Sequence, residues 1–295
     1  MKPSIRLCLL TFGMRWFVKP RLRRTKDPER SNRRFERAAP FLFSKPKGLI
    51  ATPAGPNLRV TTGEPLQNQA ILYLHGGAFV TGSQRSYRAM AGRLAKRTKS
   101  VVFLADYPLL QVAPFPAAPE AILAAWDHLI AAGWQPHQIV IAGDSAGGNL
   151  VFGLLSTLLL RGQIPAAVVA FSPWCDLTLS GETIVSNAKK DPLIPASAMQ
   201  EAVALYLDGA DPKDPRASPL FAAFPNPPPV LIQVGAQEVL FSDSCRMSEI
   251  LGGTLDVWAH CPHVWQVFDG RLPEANAAMR KAADFIQTSF ARAKR

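Results

Sequence analysis

Cysteine is too sparse and too scattered in this 295-residue chain to build a disulfide framework. The four are Cys8, Cys175, Cys245 and Cys261. They form no CxxC pair and no histidine stands at zinc-finger spacing, so no structural metal is expected. The expected setting is a reduced, cytoplasmic one. Long apolar runs are missing as well. Residues 7–14 fall well short of the roughly 20 needed to cross a bilayer, and Arg15 ends the run. No small-residue cleavage site follows before Lys19-Pro20, so the stretch is not read as a signal peptide. There is no internal repeat or low-complexity tract, which sets aside solenoid, collagenous and disordered classes. Acidic residues are scarce where basic ones gather. Residues 1–37 hold twelve Lys/Arg, Lys26 among them, against three Asp/Glu, a net +9 of the chain's +11. A nucleic-acid binder would need basic residues beyond that segment, and the near-neutral body speaks against one.

What remains is ample apolar material, 48% of residues, in a pattern that alternates from residue 70 onward. Strand-length apolar runs occupy 70–74, 101–106, 139–142, 167–171, 230–234 and 255–258. Each is nearly continuous, as strands buried on both faces of a parallel sheet are. Helical stretches fall at 85–99, 116–132, 146–161, 242–251 and 273–293. This rhythm predicts an α/β fold with a mostly parallel sheet between helices. It breaks at 180–224, where proline-punctuated loops surround one helix at 196–207. That segment reads as an insertion above the sheet, which the N-terminal 45 residues are expected to join. The expected division is a basic helical segment at 1–45 and a catalytic domain at 46–295. The basic segment has two readings: a lid helix packing its Leu/Phe/Trp side onto the domain, or a helix lying on an anionic membrane.

The chemistry gathers around Gly143-Asp144-Ser145-Ala146-Gly147, a G-x-S-x-G pentapeptide that ends an apolar strand and opens a helix. This nucleophile elbow lifts the serine hydroxyl above the sheet edge, at a helix N-terminus that favours developing negative charge. A serine attacks only after a base takes its proton. Only His260 and His263 lie beyond Ser145. His263, in the loop after the last strand, is the expected base and His260 a neighbour. The orienting acid is expected just past the 230–234 strand, where Glu238 and Asp243 both qualify. Glu238 is nearer the strand end, and Asp243 is of a helix-capping type. An oxyanion needs backbone donors: the N–H of Ala146, and the glycine-rich loop His75-Gly76-Gly77-Ala78. His75 is expected to support that loop, as is Asp144, rather than act as a base.

These residues resemble the hormone-sensitive-lipase-like family of α/β-hydrolases. Its H-G-G-G loop appears as His75-Gly76-Gly77-Ala78, with alanine in the third glycine position. Its G-D-S-A-G-G elbow stands unchanged at 143–148. Its D-Y-R-L-A-P segment appears as Asp106-Tyr107-Pro108-Leu109, departing at Pro108 and Gln111, followed by Pro114-Phe115-Pro116-Ala117. Ser172-Pro173-Trp174 and Ser218-Pro219-Leu220 also look like family landmarks. The stretch from Glu238 to Asp243 is similar to a subgroup with glutamate as the acid, and His263-Val264-Trp265-Gln266-Val267-Phe268 to that subgroup's histidine motif. The resemblance runs from about residue 50 to the C-terminus. It implies an α/β-hydrolase fold with a helical cap, oxyanion donors at Gly77 and Ala78, and a carboxylesterase that forms an acyl-enzyme without cofactor or metal.

The expected substrate is a short-to-medium-chain acyl ester. Phe41, Phe43, Leu193, Ile194, Leu205 and Tyr206 are offered as pocket-lining cap residues. The alternatives are a membrane-associated lipase on longer-chain esters, an amidase or peptidase with the same triad, and a non-catalytic ligand-binding relative. Peripheral membrane contact through the N-terminus and the oligomeric state, a dimer among the options, stay open.

Overall fold

The computed structural model describes residues 2–24 and 27–293; Lys26, counted above in the basic segment, lies outside the described residues, as do Met1 and Thr25 of the expected cap segment. The chain opens with α1 (Ile5–Gly13), a π-helical turn (Met14–Val18), α2 (Lys19–Arg24) and α3 (Pro28–Leu42). Then come β1 (Leu49–Ala54), β2 (Asn57–Thr62), β3 (Ala70–Leu74), α4 (Gln84–Thr98), β4 (Val101–Ala105) and α5 (Ala117–Ala131). The second half runs β5 (Ile139–Asp144), α6 (Ala146–Leu160), β6 (Ala167–Phe171), α7 (Thr183–Ser186), α8 (Ala196–Leu207), β7 (Val230–Gly235), α9 (Phe241–Leu251), β8 (Thr254–Trp258) and α10 (Pro273–Ala293).

The eight strands among the described residues join one sheet in the order β1-β2-β4-β3-β5-β6-β7-β8. β2 pairs antiparallel with both β1 and β4, and every other neighbour is parallel. The central strands are buried on both sides, and their side chains alternate between two cores. Ala70, Leu72 and Leu74 of β3 face α5, α6 and α9, while Ile71 and Tyr73 face α4 and α10. That two-sided burial is why these strands read as continuous apolar runs rather than as alternation.

Two features depart from the sequence-based expectations. β1 and β2 form a hairpin that the run pattern does not reveal. β1 alternates between exposed and half-buried positions, carries Pro53 and turns at Gly55-Pro56, so it lacks the apolar continuity used to find the others. The N-terminal segment is helical, but its Leu/Phe/Trp side does not pack inward. Leu7 and Met14 are buried, whereas Leu9, Phe12, Trp16 and Phe17 are exposed. Apolar residues occupy two faces of this helix, and only one can meet the domain.

Between β6 and β7 lie α7 and α8 and no strand. The N-terminal helices are fastened to this stretch by cations. Arg15 donates from both guanidinium ends to the carbonyls of Lys189 and Lys190, each at 2.6 Å. Lys19 Nζ donates to the carbonyls of Ala188 at 2.7 Å and Asp191 at 2.6 Å. Burial lowers the Lys19 pKa despite the opposing pull of Asp191.

Candidate active site

The carboxyl ends of β3, β5, β7 and β8 meet at one edge of the sheet, where open α/β sheets place their ligand sites. β5 delivers Ser145. Its backbone is held at φ 53° and ψ −119°, a conformation a non-glycine residue adopts only where the surroundings enforce it. The enforcement is tight packing: a Cβ on Gly147 would run into the carbonyl oxygens of Leu74 and His75. The Ser145 N–H is held by Phe171 O at 2.9 Å, and its carbonyl accepts from Trp174 and Asn149.

β8 and the loop after it deliver His263, whose Nε2 lies 2.9 Å from Ser145 Oγ. Its Nδ1 lies 2.7 Å from Glu238 Oε2, just past β7. A carboxylate only accepts, so Nδ1 carries the proton and Nε2 is left to accept from the serine hydroxyl. Burial alone would lower the His263 pKa. The hydrogen bond and charge of Glu238, with Asp191 and Asp144 farther off, outweigh it and leave the pKa raised. Glu238 is fully buried; its other oxygen accepts from Ser172 Oγ at 2.8 Å and Gly235 N–H at 2.6 Å. Ser172 Oγ also accepts the N–H of Val264, beside the histidine.

The two residues kept as alternatives stand elsewhere. Asp243 accepts the N–H groups of Cys175 and Asp176 and pairs with Arg246 at 2.9 Å. It sits inside the first turn of α9, whose cap position is Leu240, so it does not fill the capping role that its residue type suggests. Burial pushes its carboxyl up to about 7. His260 is exposed just past the end of β8.

The glycine-rich loop after β3 lies against the elbow. Gly77 has φ 117°, Ala78 φ 56° and Phe79 φ 60°. Alanine thus takes a left-handed conformation that costs it about 1–2 kcal/mol. The N–H groups of Gly77, Ala78 and Ala146 donate to no atom among the described residues. Gly76 differs: its N–H donates to Asp144 Oδ1 at 3.1 Å, so it is committed to holding the loop and is not an oxyanion donor. Asp144 also accepts from Tyr73 Oη at 2.8 Å and Tyr87 Oη at 3.0 Å. Burial pushes its carboxyl up to about 6. His75 stacks on Tyr107 at 4.3 Å between centroids. Its Nδ1 lies 2.9 Å from the Gly76 carbonyl, which requires the proton on that nitrogen. Burial pushes its pKa down to about 4, which keeps it neutral. Of the supporting residues, Tyr73 of β3, Tyr87 of α4, Asn149 of α6 and Asp191 have no motif signature, and Ser172 is marked only by the Ser172-Pro173-Trp174 landmark.

Beside the loop stands an aromatic wall. Phe79 stacks on Tyr206 of α8 with centroids 3.8 Å apart. Trp174 and Phe115 complete it at 6.2 Å from Phe79 and 5.9 Å from Tyr206. The Tyr206 hydroxyl is buried without a hydrogen-bond partner among the described residues. Of the other residues offered as pocket lining, Phe41 and Leu205 are exposed, and Phe43 packs on Tyr87 in the core behind the sheet. Leu193 and Ile194 are half-buried.

Comparison with known proteins adds a lineage to this geometry. A family model described as the α/β-hydrolase fold matches residues 71–266. An esterase of Acinetobacter venetianus is 38% identical over 236 residues, covering 76% of this chain and 78% of the relative. An acetyl-hydrolase of Streptomyces hygroscopicus is 34% identical over 227 residues, 75% of this chain and 76% of the relative. The crystal structure of an esterase from the bacterial hormone-sensitive lipase family superposes with a TM-score of 0.91 at 33% identity, covering 98% of this chain and all of the other.

Proposed function

This chain belongs to the α/β-hydrolase family, in its bacterial hormone-sensitive-lipase-like branch, and on that premise we propose that it hydrolyses carboxylic esters through a Ser145–His263–Glu238 triad. The observation that carries the proposal is the continuous hydrogen-bonded path from Glu238 Oε2 through His263 to Ser145 Oγ. In this reading His263 Nε2 takes the serine proton as Oγ attacks the ester carbonyl. The N–H groups of Gly77, Ala78 and Ala146 receive the oxyanion. Removing one such donor from an oxyanion hole typically costs about 3 kcal/mol of transition-state stabilisation. His263 then protonates the departing alcohol, and a water activated by the same nitrogen clears the acyl-enzyme. Glu238 fixes the tautomer and balances the imidazolium charge.

Residues 1–45 and 180–224 form the cap in this reading, with Tyr206 reaching from the cap to the oxyanion loop. The wall of Phe79, Trp174, Phe115 and Tyr206 favours short-to-medium acyl groups, in keeping with a relative named acetyl-hydrolase. Longer-chain esters drawn from a membrane are the second reading, favoured by the exposed apolar face of α1. Ser145→Ala is expected to abolish hydrolysis of p-nitrophenyl butyrate while leaving the fold intact by circular dichroism. A variant that retains turnover overturns the proposal, and turnover of the matching anilide at comparable rate would move the substrate class to amides.

A further inference from the structure

α1 and the turn after it are apolar on two opposite faces, and the structure uses one. The inner face, Leu7 and Met14, is buried; Leu7 packs with Cys261 and Trp265 on the loop that carries His263. The outer face holds Ile5, Leu9, Phe12 and Trp16, spaced as one side of a helix. They are 80%, 68%, 58% and 62% exposed, and Phe17 beside them is 69% exposed. Phe12 touches both Trp16 and Phe17, at 6.4 and 6.5 Å between centroids. Scattered apolar residues on a surface need no explanation, but a contiguous aromatic patch does.

The charge of the segment that carries the patch is of one sign. Residues 2–24 carry seven Lys/Arg and no Asp/Glu. Arg15 and Lys19 are turned back to fasten the helices to the carbonyls of 188–191, while Lys2, Arg21, Arg23 and Arg24 are exposed. Trp16 and Phe17 also wall a surface groove of about 460 Å³ lined by Arg21, Arg24, Arg30 and Arg34 against one acid, Asp27. An aromatic patch fringed by cations matches the boundary of an anionic bilayer, where rings sit at headgroup depth and guanidinium groups meet phosphate. A second copy of the chain would bring like charges together on this face. At nine residues, α1 is about 14 Å long and would lie in the plane of the surface rather than cross it.

We propose that the outer face of α1 and the π-helical turn is a docking surface for an anionic lipid bilayer, seating the proposed ester-hydrolysing site at the membrane–water boundary. The docking stands on exposure and charge; only its consequence for the substrate rests on the esterase reading. The seat is close to the chemistry. α1 lies on the His263 loop, and the segment held by Arg15 and Lys19 ends in Asp191, whose carboxylate accepts the N–H of Val239 beside Glu238 at 3.0 Å.

The test is cosedimentation of the full chain with vesicles of phosphatidylcholine alone and of phosphatidylcholine and phosphatidylglycerol in equal parts. The chain is expected to bind the second and not the first, with affinity falling as salt rises. The double substitution Phe12→Ser with Trp16→Ser is expected to weaken binding at least about tenfold. Arg23→Ala and Arg24→Ala are each expected to weaken it about fivefold. All four side chains are exposed, so unchanged hydrolysis of dissolved p-nitrophenyl acetate verifies that the variants are folded. Trp16 emission, read as the difference from Trp16→Phe, is expected to shift to the blue on phosphatidylglycerol vesicles. The proposal is overturned by no binding, by equal binding to both vesicles, or by binding indifferent to Phe12 and Trp16. It is also overturned if light scattering finds this face closed in a dimer that the double variant dissociates. A chain that binds vesicles yet hydrolyses no ester would sink the esterase reading and leave the docking standing.

Discussion

Glu238 has both carboxylate oxygens committed, and that double commitment decides what a substitution there would do. Oε1 receives two donors, from Ser172 and Gly235, and Oε2 receives His263. A glutamine would keep its carbonyl toward the two donors and turn its NH₂ group to the imidazole. His263 Nδ1 would then have to accept, its proton would move to Nε2, and Nε2 could no longer take the proton of Ser145. Glu238→Gln is therefore expected to lower kcat by about three to four orders of magnitude with little change in melting temperature. Asp243→Asn is expected to do the reverse. It breaks the pair with Arg246, leaves the path to Ser145 intact, and shows in thermal denaturation rather than in kcat. At this scale the sequence was legible wherever chemistry demands a rare residue in a fixed context. Ser145, Glu238 and His263 meet in space, drawn from three separate loops. Tyr73 and Tyr87 were hidden, because a tyrosine that hydrogen-bonds a carboxylate looks like any other; Ser172 stood out only as part of a landmark, with no sign of its bond to Glu238. Gly76 was misread for a related reason: a motif shows that a loop approaches, but not which N–H the neighbouring aspartate claims.

Elements were legible where their sequence is a continuous apolar run or a clear helical period. The six apolar runs are all strands, and the helices between them fall within a residue or so of where their periodicity puts them. β1 escaped because it alternates toward solvent, and β2 because its sequence Asn57-Leu58-Arg59-Val60-Thr61-Thr62 is mostly polar although none of it is exposed. The inner face of α1 was misassigned because both faces are apolar. α8 shows what an element contributes beyond its own stability. It carries Tyr206 across to stack on Phe79, the residue after Ala78. Tyr206→Ala is expected to raise kcat/KM for p-nitrophenyl octanoate relative to the butyrate roughly tenfold, the scale of discrimination that a few methylenes in an apolar pocket support. An unchanged ratio would remove Tyr206 from the acyl pocket and return the wall to a packing role.

For the whole molecule, buried titratable groups set stability and activity against each other. Asp144 and Asp243 are raised from 3.8 to about 6 and about 7 by burial. The folded state therefore holds their protons more tightly than the unfolded chain does, and their contribution to stability falls as pH rises through those values. His263, also raised, contributes stability below 6.5 that is lost as pH climbs through its folded value. Asp176 and Asp214 act oppositely. Their pKa values are lowered, so they stabilise above 3.8 and that contribution disappears in acid. His75, lowered from 6.5 to about 4, likewise loses stability as pH falls below 6.5 and offsets part of the gain from Asp144, Asp243 and His263. The urea midpoint is thus expected to be higher near about pH 5 than near about pH 8. kcat/KM, which needs His263 neutral, is expected to climb across the same interval. Parallel profiles in the two measurements would overturn this account.

The order in which the sheet edge is assembled has a consequence in time as well as in space. Ser145 leaves the ribosome long before His263, and between them lie three strands, β6 to β8, and the helices α6 to α9. A growing chain that already displays its elbow has no base to draw the serine proton and no carboxylate to orient one. On the proposed triad it is expected to be silent toward esters until the loop after β8 has emerged. A chain stalled short of His263 is then expected to carry an inert serine rather than a half-working one.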